Sequence, residues 1–257
     1  MEKPNLVLVH SFPTNSILLH GLGEFLEDYF TVHFVDLPGF HKDVPALEGD
    51  ITIKKFSDYL DEKIQGLNIG EYVIGGISFG FLVVNNAKLD KRCKAILAIE
   101  PFINSQCLNI SFWTQKKYII ISLILQLLHT LKLERNIWKA SWFSKFLQEE
   151  AGCSKDSMDL IIEHIDPGTF FTVIEMLMNY KKYPTFHNLP YFLIGNFTDN
   201  IIDFSLVLKV FAENLHELHI ISDPIDHFPK DLSKNYFESH IPKEHIHRMI
   251  ACMEENS

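Results

Sequence analysis

The sequence predicts an α/β fold in which a mostly parallel sheet of about six strands is flanked by helices and carries an inserted helical cap. Two observations lead to this prediction. Short apolar segments rich in β-branched residues alternate with helical patterns, and one long interval contains helical patterns alone. The length of 257 residues fits one such domain with a modest insertion, so a second independent domain is not required.

The predicted strands are mostly apolar, as expected for strands that are covered on both faces of a parallel sheet. Helices are predicted where apolar residues recur every three or four positions, as Phe56, Leu60 and Ile64 do between the second and third strands. The predicted strands are residues 6–10, 32–36, 72–77, 95–100, 191–195 and 217–222. The helices predicted between and after the first strands are residues 18–29, 53–67 and 81–89.

Residues 102–183 interrupt this alternation and are predicted to be a helical cap, which leaves residues 1–101 and 184–257 as the core. An apolar helix is predicted at about residues 117–133 within the cap. Packing inside the cap is favoured for this helix, and lining of an apolar substrate channel or contact with a membrane surface are the alternatives. The cap contains all three tryptophans, which are Trp113, Trp138 and Trp142.

Composition and charge exclude several functional classes. The net charge is −10 and the basic residues are scattered, so no nucleic-acid partner is expected. The four cysteines form no Cys-x-x-Cys pair, which argues against a zinc ribbon or a dithiol redox site. The longest apolar segment, residues 118–131, is shorter than a membrane span, and we expect no membrane contact. The N-terminus lacks the pattern of a signal peptide, so a cytoplasmic location is expected.

The segment Gly76-Ile77-Ser78-Phe79-Gly80 lies between a predicted strand and a predicted helix. A serine on such a tight turn is held in a strained backbone conformation, and a glycine two residues before and after it leaves room for neighbouring chain. The N–H groups at the start of the helix point to where negative charge would develop. A glycine-rich strand end with an incidental serine is the alternative. The strand-to-helix context favours Ser78 as a nucleophile.

A serine hydroxyl needs a base to take its proton and an acid to orient that base. Among 13 histidines, His227 is distinguished by its place after the last predicted strand and before the terminal helix. Asp199 directly follows the fifth predicted strand and is the candidate acid. Asp203 and Asp226 are the alternatives, and each of the three could instead cap a helix or lie in a solvated loop.

The order Ser78, Asp199, His227 resembles that of the α/β-hydrolase fold superfamily. Residues 10–13, His-Ser-Phe-Pro, resemble the family's His-Gly-Phe-Pro loop, and residues 35–40, Val-Asp-Leu-Pro-Gly-Phe, are similar to its Asp-Leu-Pro-Gly-Phe-Gly segment. The resemblance covers nearly the whole chain. Its compact size is similar to that of small carboxylesterases such as the pimeloyl-carrier-protein methyl esterase.

This resemblance implies an α/β-hydrolase fold, in which Gly76 and Gly80 are the glycines of the nucleophile turn. It also implies that the backbone N–H groups of Phe12 and Phe79 form an oxyanion hole. Ser11 stands where the family has glycine, next to the oxyanion loop. The added side chain puts the geometry of that hole in question.

No cofactor and no metal site is expected. His216 and His219 would point to opposite faces of a strand, and His245 and His247 lie on different faces of the last helix, which favours structural or surface roles. No segment resembles a phosphate-binding loop or a dinucleotide-binding turn.

The hypothesis from the sequence is hydrolysis of a carboxylic ester or thioester through an acyl-enzyme. The partner would be a small-molecule ester, and the aromatic cap suggests that this substrate has an apolar group. Two alternatives stay open. One is a non-catalytic ligand-binding member of the fold, and the other is a carbon–carbon hydrolase or hydroxynitrile lyase that uses the same triad.

Overall fold

The computed structural model describes residues 3–131, 137–141, 143–145, 148, 154–214, 218–222, 227 and 231–255. In these residues six strands form one parallel sheet in the order β2-β1-β3-β4-β5-β6. The predicted fold class is thereby confirmed. The strands are β1 (Asn5–Val9), β2 (Thr31–Val35), β3 (Tyr72–Ile77), β4 (Cys93–Ile99), β5 (Tyr191–Gly195) and β6 (Leu218–Ser222).

Nine helices have bounds given by the described residues, in addition to a 3-10 turn at Ser105–Cys107, and helical residues also occur between residues 137 and 148. Between the strands up to β4 lie α1 (His20–Leu26), α2 (Ile53–Gly66) and α3 (Phe79–Asn85). Between β4 and β5 lie α4 (Phe112–Thr130), α5 (Lys155–His164) and α6 (Pro167–Asn179). The last three are α7 (Phe204–Asn214), α8 (Lys234–His240) and α9 (Lys243–Glu255).

The sheet separates two apolar layers because successive side chains of a strand point to opposite faces. In β1, Val7 and Val9 face the layer that contains α2, α3 and α7, whereas Leu6 and Leu8 face the layer that contains α1, α8 and α9. All four of these side chains are fully buried. Both faces of the sheet are therefore covered, as the apolar strand segments predict.

The helix starts follow local polar signals. Thr52 caps α2 by accepting a hydrogen bond from the backbone N–H of Lys55 at 3.3 Å. Asp166 caps α6, which has Pro167 in its first turn, by accepting from the N–H of Thr169 at 2.8 Å. Such side chains satisfy N–H groups that have no partner within the helix.

Three of the predicted helices have boundaries that differ from the structure by two to five residues. The first helix was predicted to run to residue 29 but ends at Leu26, and three further residues form turns. Helix α3 starts at Phe79, directly after Ser78, and ends at Asn85, so both ends precede the predicted ones. Helix α4 starts at Phe112, earlier than predicted, and its predicted end falls on residues 132–136, which lie outside the described residues.

Helix α4 packs on one face and exposes the other. Ile121 and Leu128 pack against the core, and Gln115 donates a side-chain hydrogen bond to the carbonyl of Met178 in α6. On the other face Trp113 is 79% exposed and Leu127 is 60% exposed. Helix α4 is therefore packed on one face alone. Because this helix is apolar all round, its periodicity could not indicate which face is packed.

Aromatic rings join the helices between β4 and β5 to the core. Trp138, Phe143, Phe170 and Phe171 are buried against one another, with ring centroids 5.0 to 6.4 Å apart. The indole N–H of Trp138 donates to the carbonyl of Ile162 at 2.9 Å, so its polar atom is satisfied. Within the described part of the chain, no helix is both long and apolar enough to cross a bilayer.

Candidate active site

Ser78 lies on the sharp turn between β3 and α3. Its φ of 48° and ψ of −112° are unfavourable for a residue with a side chain. Three backbone bonds hold this conformation. The N–H of Ser78 donates to the carbonyl of Ile99 at 2.9 Å, and the Ser78 carbonyl accepts from the N–H groups of Phe81 at 3.1 Å and Phe102 at 3.3 Å. The turn directs the Ser78 hydroxyl outward beyond the carboxyl end of the sheet, where open α/β sheets place their ligands.

The two glycines of this turn stand where no side chain fits. A Cβ on Gly76 would lie 2.5 Å from the Cα of Phe81, and a Cβ on Gly80 would lie 2.4 Å from the carbonyl oxygen of His10. Both neighbours are backbone atoms that cannot rotate away. The glycines are therefore required by the close passage of the chain, as the sequence predicts.

The structure brings Ser78, His227 and Asp199 together. Nε2 of His227 lies 3.1 Å from Oγ of Ser78, and Nδ1 lies 2.8 Å from Oδ2 of Asp199. An ionised carboxylate can only accept, so Nδ1–H donates to Asp199 and Nε2 accepts from the Ser78 hydroxyl. The side chains of His227 and Asp199 are 3% and 0% exposed. The imidazole is thus in the tautomer that can take a proton from the serine.

Asp199 is held rigidly at the end of β5. Its Oδ1 accepts hydrogen bonds from the N–H groups of Ile201 at 2.6 Å and Ile202 at 3.1 Å. Its backbone carbonyl accepts a bond from the side chain of Asn109 at 3.1 Å. Burial by itself would raise the pKa of Asp199, but the hydrogen bond and charge of His227 and the two N–H groups outweigh it and lower this pKa below its usual value. The carboxylate is therefore ionised and oriented.

Neither of the alternative acids, Asp203 and Asp226, is seen next to His227 in the described residues. Asp203 is exposed, and its carboxylate accepts from the N–H of Leu206 at 3.1 Å in the first turn of α7. This is the helix-capping role that the sequence left open. Asp226 lies outside the described residues.

The loop after β1 is fixed by His10. The ring of His10 is buried, its Nε2 accepts from the N–H of Leu37 at 3.0 Å, and its Nδ1–H donates to the carbonyl of Ser11 at 2.7 Å. Burial lowers the pKa of His10, so the ring is neutral, as these two bonds require. Within the described residues, the N–H groups of Phe12 and Phe79 donate no hydrogen bond. Both remain available to an oxygen atom of a ligand.

Ser11 occupies its position without a strained backbone. Its φ is not in the left-handed region, where a glycine would be needed. Its hydroxyl lies 2.9 Å from that of Thr14, and the N–H of Thr14 donates to the Ser11 carbonyl at 3.1 Å. The serine side chain is thereby part of a turn that orders the loop.

A further carboxyl group was missed by the analysis of the sequence. Glu100 directly follows β4, is 3% exposed, and has a φ of 42°. Burial, followed by the proximity of Asp199, raises the pKa of Glu100 to about 10. The signal that could have found it is an acidic residue at the carboxyl end of a buried strand, beside the strand that carries the candidate acid.

Glu100, Asp199 and His227 are the one group of three potential metal ligands found among the described residues. Their ligand atoms lie within 4.8 Å of one another. Both ring nitrogens of His227 are already engaged by Ser78 and Asp199, and Asp199 also holds two backbone N–H groups. His227 therefore has no ring nitrogen left to bind a cation.

The histidines that the sequence compared as metal ligands are not grouped by the described structure. His245 is buried 5.4 Å from the ring of Phe192, and the ring of His247 lies 5.5 Å from that of Tyr29. His216 lies outside the described residues. The prediction of structural or surface roles is consistent with the ring contacts of His245 and His247.

The chain is similar to known proteins in fold. The family described as alpha/beta hydrolase fold matches residues 4–155, more than half of the chain. No curated protein matches it. A putative lipase from Acinetobacter baumannii AYE has a TM-score of 0.71 and 16% identity, covering 99% of this chain and 86% of its own. A hydrolase from Oleispira antarctica has a TM-score of 0.70 and 15% identity, and the match covers 96% of this chain and 91% of the hydrolase. A putative acyltransferase from Salmonella enterica has a TM-score of 0.69 and 15% identity, covering 100% and 89%.

Proposed function

The chain belongs to the alpha/beta hydrolase fold family, and on this basis we propose that it is a serine hydrolase that cleaves a carboxylic ester or thioester. Ser78 is the nucleophile, His227 the general base and Asp199 the residue that orients the base. The solved structures that share the fold include a putative lipase and a putative acyltransferase, and acyl transfer is the chemistry that both names imply. The family alone does not identify the reaction, so the proposal depends on the site.

One observation carries the proposal, namely the two hydrogen bonds made by the single ring of His227. One bond reaches Ser78 at 3.1 Å and the other reaches Asp199 at 2.8 Å. Residues from three separate loops meet in this way at the carboxyl end of the sheet, which a merely structural serine does not require. Transfer of the serine proton to Nε2 along the first bond makes an imidazolium, which the Asp199 carboxylate stabilises through the second bond.

The reaction proceeds in two halves. Oγ of Ser78 attacks the carbonyl carbon while its proton moves to His227, and the carbonyl oxygen becomes an oxyanion. The N–H groups of Phe12 and Phe79 are the proposed donors to that oxyanion. The carbon–oxygen bond to the alcohol breaks, and His227 gives the proton to the departing alcohol. Water then attacks the acyl-enzyme, with His227 again as the base, and releases the acid and the free serine.

The proposed substrate has an apolar group next to the reacting carbonyl. The ring of Phe12, whose N–H is a proposed oxyanion donor, lies 5.0 Å from the ring of Phe170 in α6 and 6.1 Å from that of Phe40. Aromatic side chains therefore stand beside the proposed oxyanion hole, and they favour an apolar group there over a charged one.

A fluorophosphonate probe tests the nucleophile. The probe forms a bond between its phosphorus and an activated serine oxygen and releases fluoride, so the purified protein should be labelled at Ser78. The Ser78→Ala variant should show no labelling, and Ser239→Ala, which changes an exposed serine in α8, should be labelled like the wild type. Absence of labelling in the wild type would overturn the proposal and favour a ligand-binding protein.

A series of p-nitrophenyl esters with increasing acyl chain length tests the substrate class. We expect kcat/KM to rise with chain length, because each buried methylene contributes about 0.8 kcal/mol. The Ser78→Ala variant should lose at least about a thousandfold in kcat. A rate that is independent of chain length, with labelling intact, would retain the hydrolase and reject the apolar group.

A further inference from the structure

Two carboxyl groups, rather than one, stand behind the imidazole of His227. Asp199 follows β5 and Glu100 follows β4, and these strands are parallel neighbours in the sheet. The N–H of Glu100 donates to the carbonyl of Ile194 at 2.8 Å, which ties the two strand ends together. The ligand atoms of Glu100, Asp199 and His227 lie within 4.8 Å of one another. The mechanism proposed above uses Asp199 and leaves Glu100 without a role.

The surroundings of Glu100 do not suit a negative charge. The residue is 3% exposed, and within the described residues neither of its side-chain oxygens makes a hydrogen bond of normal geometry. The backbone N–H of Asn196 lowers the pKa of Glu100, but burial and Asp199 outweigh it. No Lys or Arg is among the groups that act on it, and the charged group that faces it is the Asp199 carboxylate. An ionised Glu100 would place two buried negative charges side by side with one imidazole to balance them, which is strongly unfavourable.

Asp199 has room for one more donor. A carboxylate offers about four acceptor positions. Ile201, Ile202 and His227 occupy three of them, the first two at Oδ1 and the last at Oδ2. Among the contacts made by the described residues, the position left over is at Oδ2. The ligand atoms of Glu100 and Asp199 lie within 4.8 Å of one another, a separation that a rotation of the Glu100 side chain or one bridging water molecule would span.

We propose that Glu100 is a protonated carboxylic acid that donates its O–H to Asp199, so that the pair carries one negative charge and positions the imidazole of His227. Glu100 is a positioning residue, because it acts through Asp199 and does not touch the substrate. The inference rests on the proposed function for its effect on turnover. The protonation state of Glu100 itself is independent of that function.

The strained backbone supports this assignment. Glu100 has a φ of 42°, which a residue with a side chain adopts at a cost. The conformation is held by the bond to Ile194 and directs the carboxyl group toward the Asp199 side of the site. Such strain persists where the surrounding structure imposes it, and it is concentrated at functional sites.

Infrared spectroscopy of the intact protein tests the protonation state directly. The difference spectrum between wild type and Glu100→Gln at neutral pH should contain the C=O band of a protonated carboxyl group, which ionised carboxylates lack. This band should disappear from the wild type near pH 10, where Glu100 ionises. If the difference spectrum shows carboxylate bands in its place, Glu100 is ionised and the proposal is wrong, whatever the activity of the enzyme.

Turnover of a p-nitrophenyl ester then tests the positioning role. Gln keeps an N–H donor for Asp199 and carries no charge, whereas Leu has a similar volume and no donor. We expect Glu100→Gln to keep kcat near the wild-type value and Glu100→Leu to lose about tenfold in kcat at an unchanged KM. If Glu100 only fills space, both variants will behave alike, and that result would overturn the role.

The alkaline side of the pH profile provides a third readout. Corrected for spontaneous ester hydrolysis, kcat of the wild type should change near pH 10 as Glu100 ionises, and kcat of Glu100→Gln should lack this step. Identical profiles would contradict the proposal. If the wild type hydrolyses no ester and takes no fluorophosphonate, the proposed function fails, and the infrared measurement alone still decides the state of Glu100.

Discussion

Replacement of Glu100 by Gln should change how the stability of the protein depends on pH. An exposed glutamate has an ordinary pKa of 4.5, and burial followed by the charge of Asp199 raises the pKa of Glu100 in the folded protein to about 10. Between these values the unfolded chain has released the proton while the folded chain keeps it. The free energy of unfolding of the wild type therefore falls as the pH rises, by up to about 1.4 kcal/mol per pH unit.

The Gln variant has no proton to release at this position and lacks the corresponding slope. Over two units, from about pH 6 to about pH 8, the variant should gain up to about 3 kcal/mol relative to the wild type. The sign is fixed by the direction of the shift. An acid with a raised folded-state pKa costs nothing below the unfolded pKa, costs more at each higher pH, and reaches its full cost above the folded pKa.

Urea unfolding followed by far-ultraviolet circular dichroism measures this difference, because the midpoint and slope of each curve give the free energy of unfolding. Wild type and Glu100→Gln are compared at several pH values, together with Glu62→Gln, which changes an exposed glutamate in α2. All other titrating groups are common to the proteins and cancel in the difference. Parallel pH dependences for wild type and Glu100→Gln would refute the reasoning, and a pH-dependent gain in Glu62→Gln would show that the effect is not specific to the buried site.

Three further changes have defined outcomes. In Asp199→Asn the amide cannot hold His227 in the same tautomer, so kcat on a p-nitrophenyl ester should fall by about 10⁴ with little change in KM, and a loss below tenfold would argue for another acid. In Gly80→Ala the new Cβ would lie 2.4 Å from the backbone oxygen of His10, so thermal unfolding should show a loss of about 1–3 kcal/mol, and an unchanged Tm would contradict the expected clash. In Thr52→Ala the N-terminal cap of α2 is removed, so urea unfolding should show a loss of about 1 kcal/mol at unaltered kcat, whereas a loss of activity would indicate a link to the site that the structure does not contain.

The apolar pattern of the chain was sufficient to predict the strands of the sheet. The strands β1, β3, β4 and β5 are buried on both faces, so their residues must be apolar over most of their length, and this requirement is visible without the structure. The predicted strands at residues 72–77 and 191–195 coincide with β3 and β5. Helix ends were less accurate, because capping bonds and tertiary contacts decide where a helix stops.

The nucleophile turn was also predictable, because its demands are local. Gly76 is required by backbone atoms four and five residues further along the chain, and Gly80 by the backbone at the end of β1, so their spacing around Ser78 appears in the sequence. The choice of His227 depended on its place after the last strand. These arguments need only the chain order and the rule that parallel strands end at one edge of the sheet.

The sequence favoured Asp199 as the acid but left Asp203 and Asp226 open as alternatives. Asp199 and Asp203 are four residues apart and both follow β5, yet one contacts His227 and the other caps α7. Glu100 was assigned to the end of a strand, and its position beside Asp199 depends on the pairing of β4 with β5. Whether two such residues meet depends on the direction of their side chains. The periodicity of the sequence describes neighbours within one element and does not show contacts between residues far apart in the chain.

The sequence by itself determined the fold class, the turn that presents Ser78 and the chain order of the candidate site, because these follow from burial of apolar strands and from backbone clearance. The tertiary structure alone decided which acid faces His227, how Ser11 fits its loop without strain and which face of α4 is exposed. It also brought Glu100 next to Asp199. The physical reason is that hydrogen bonds and electrostatic interactions depend on distances of a few ångströms between residues far apart in the chain, which only the packed structure establishes.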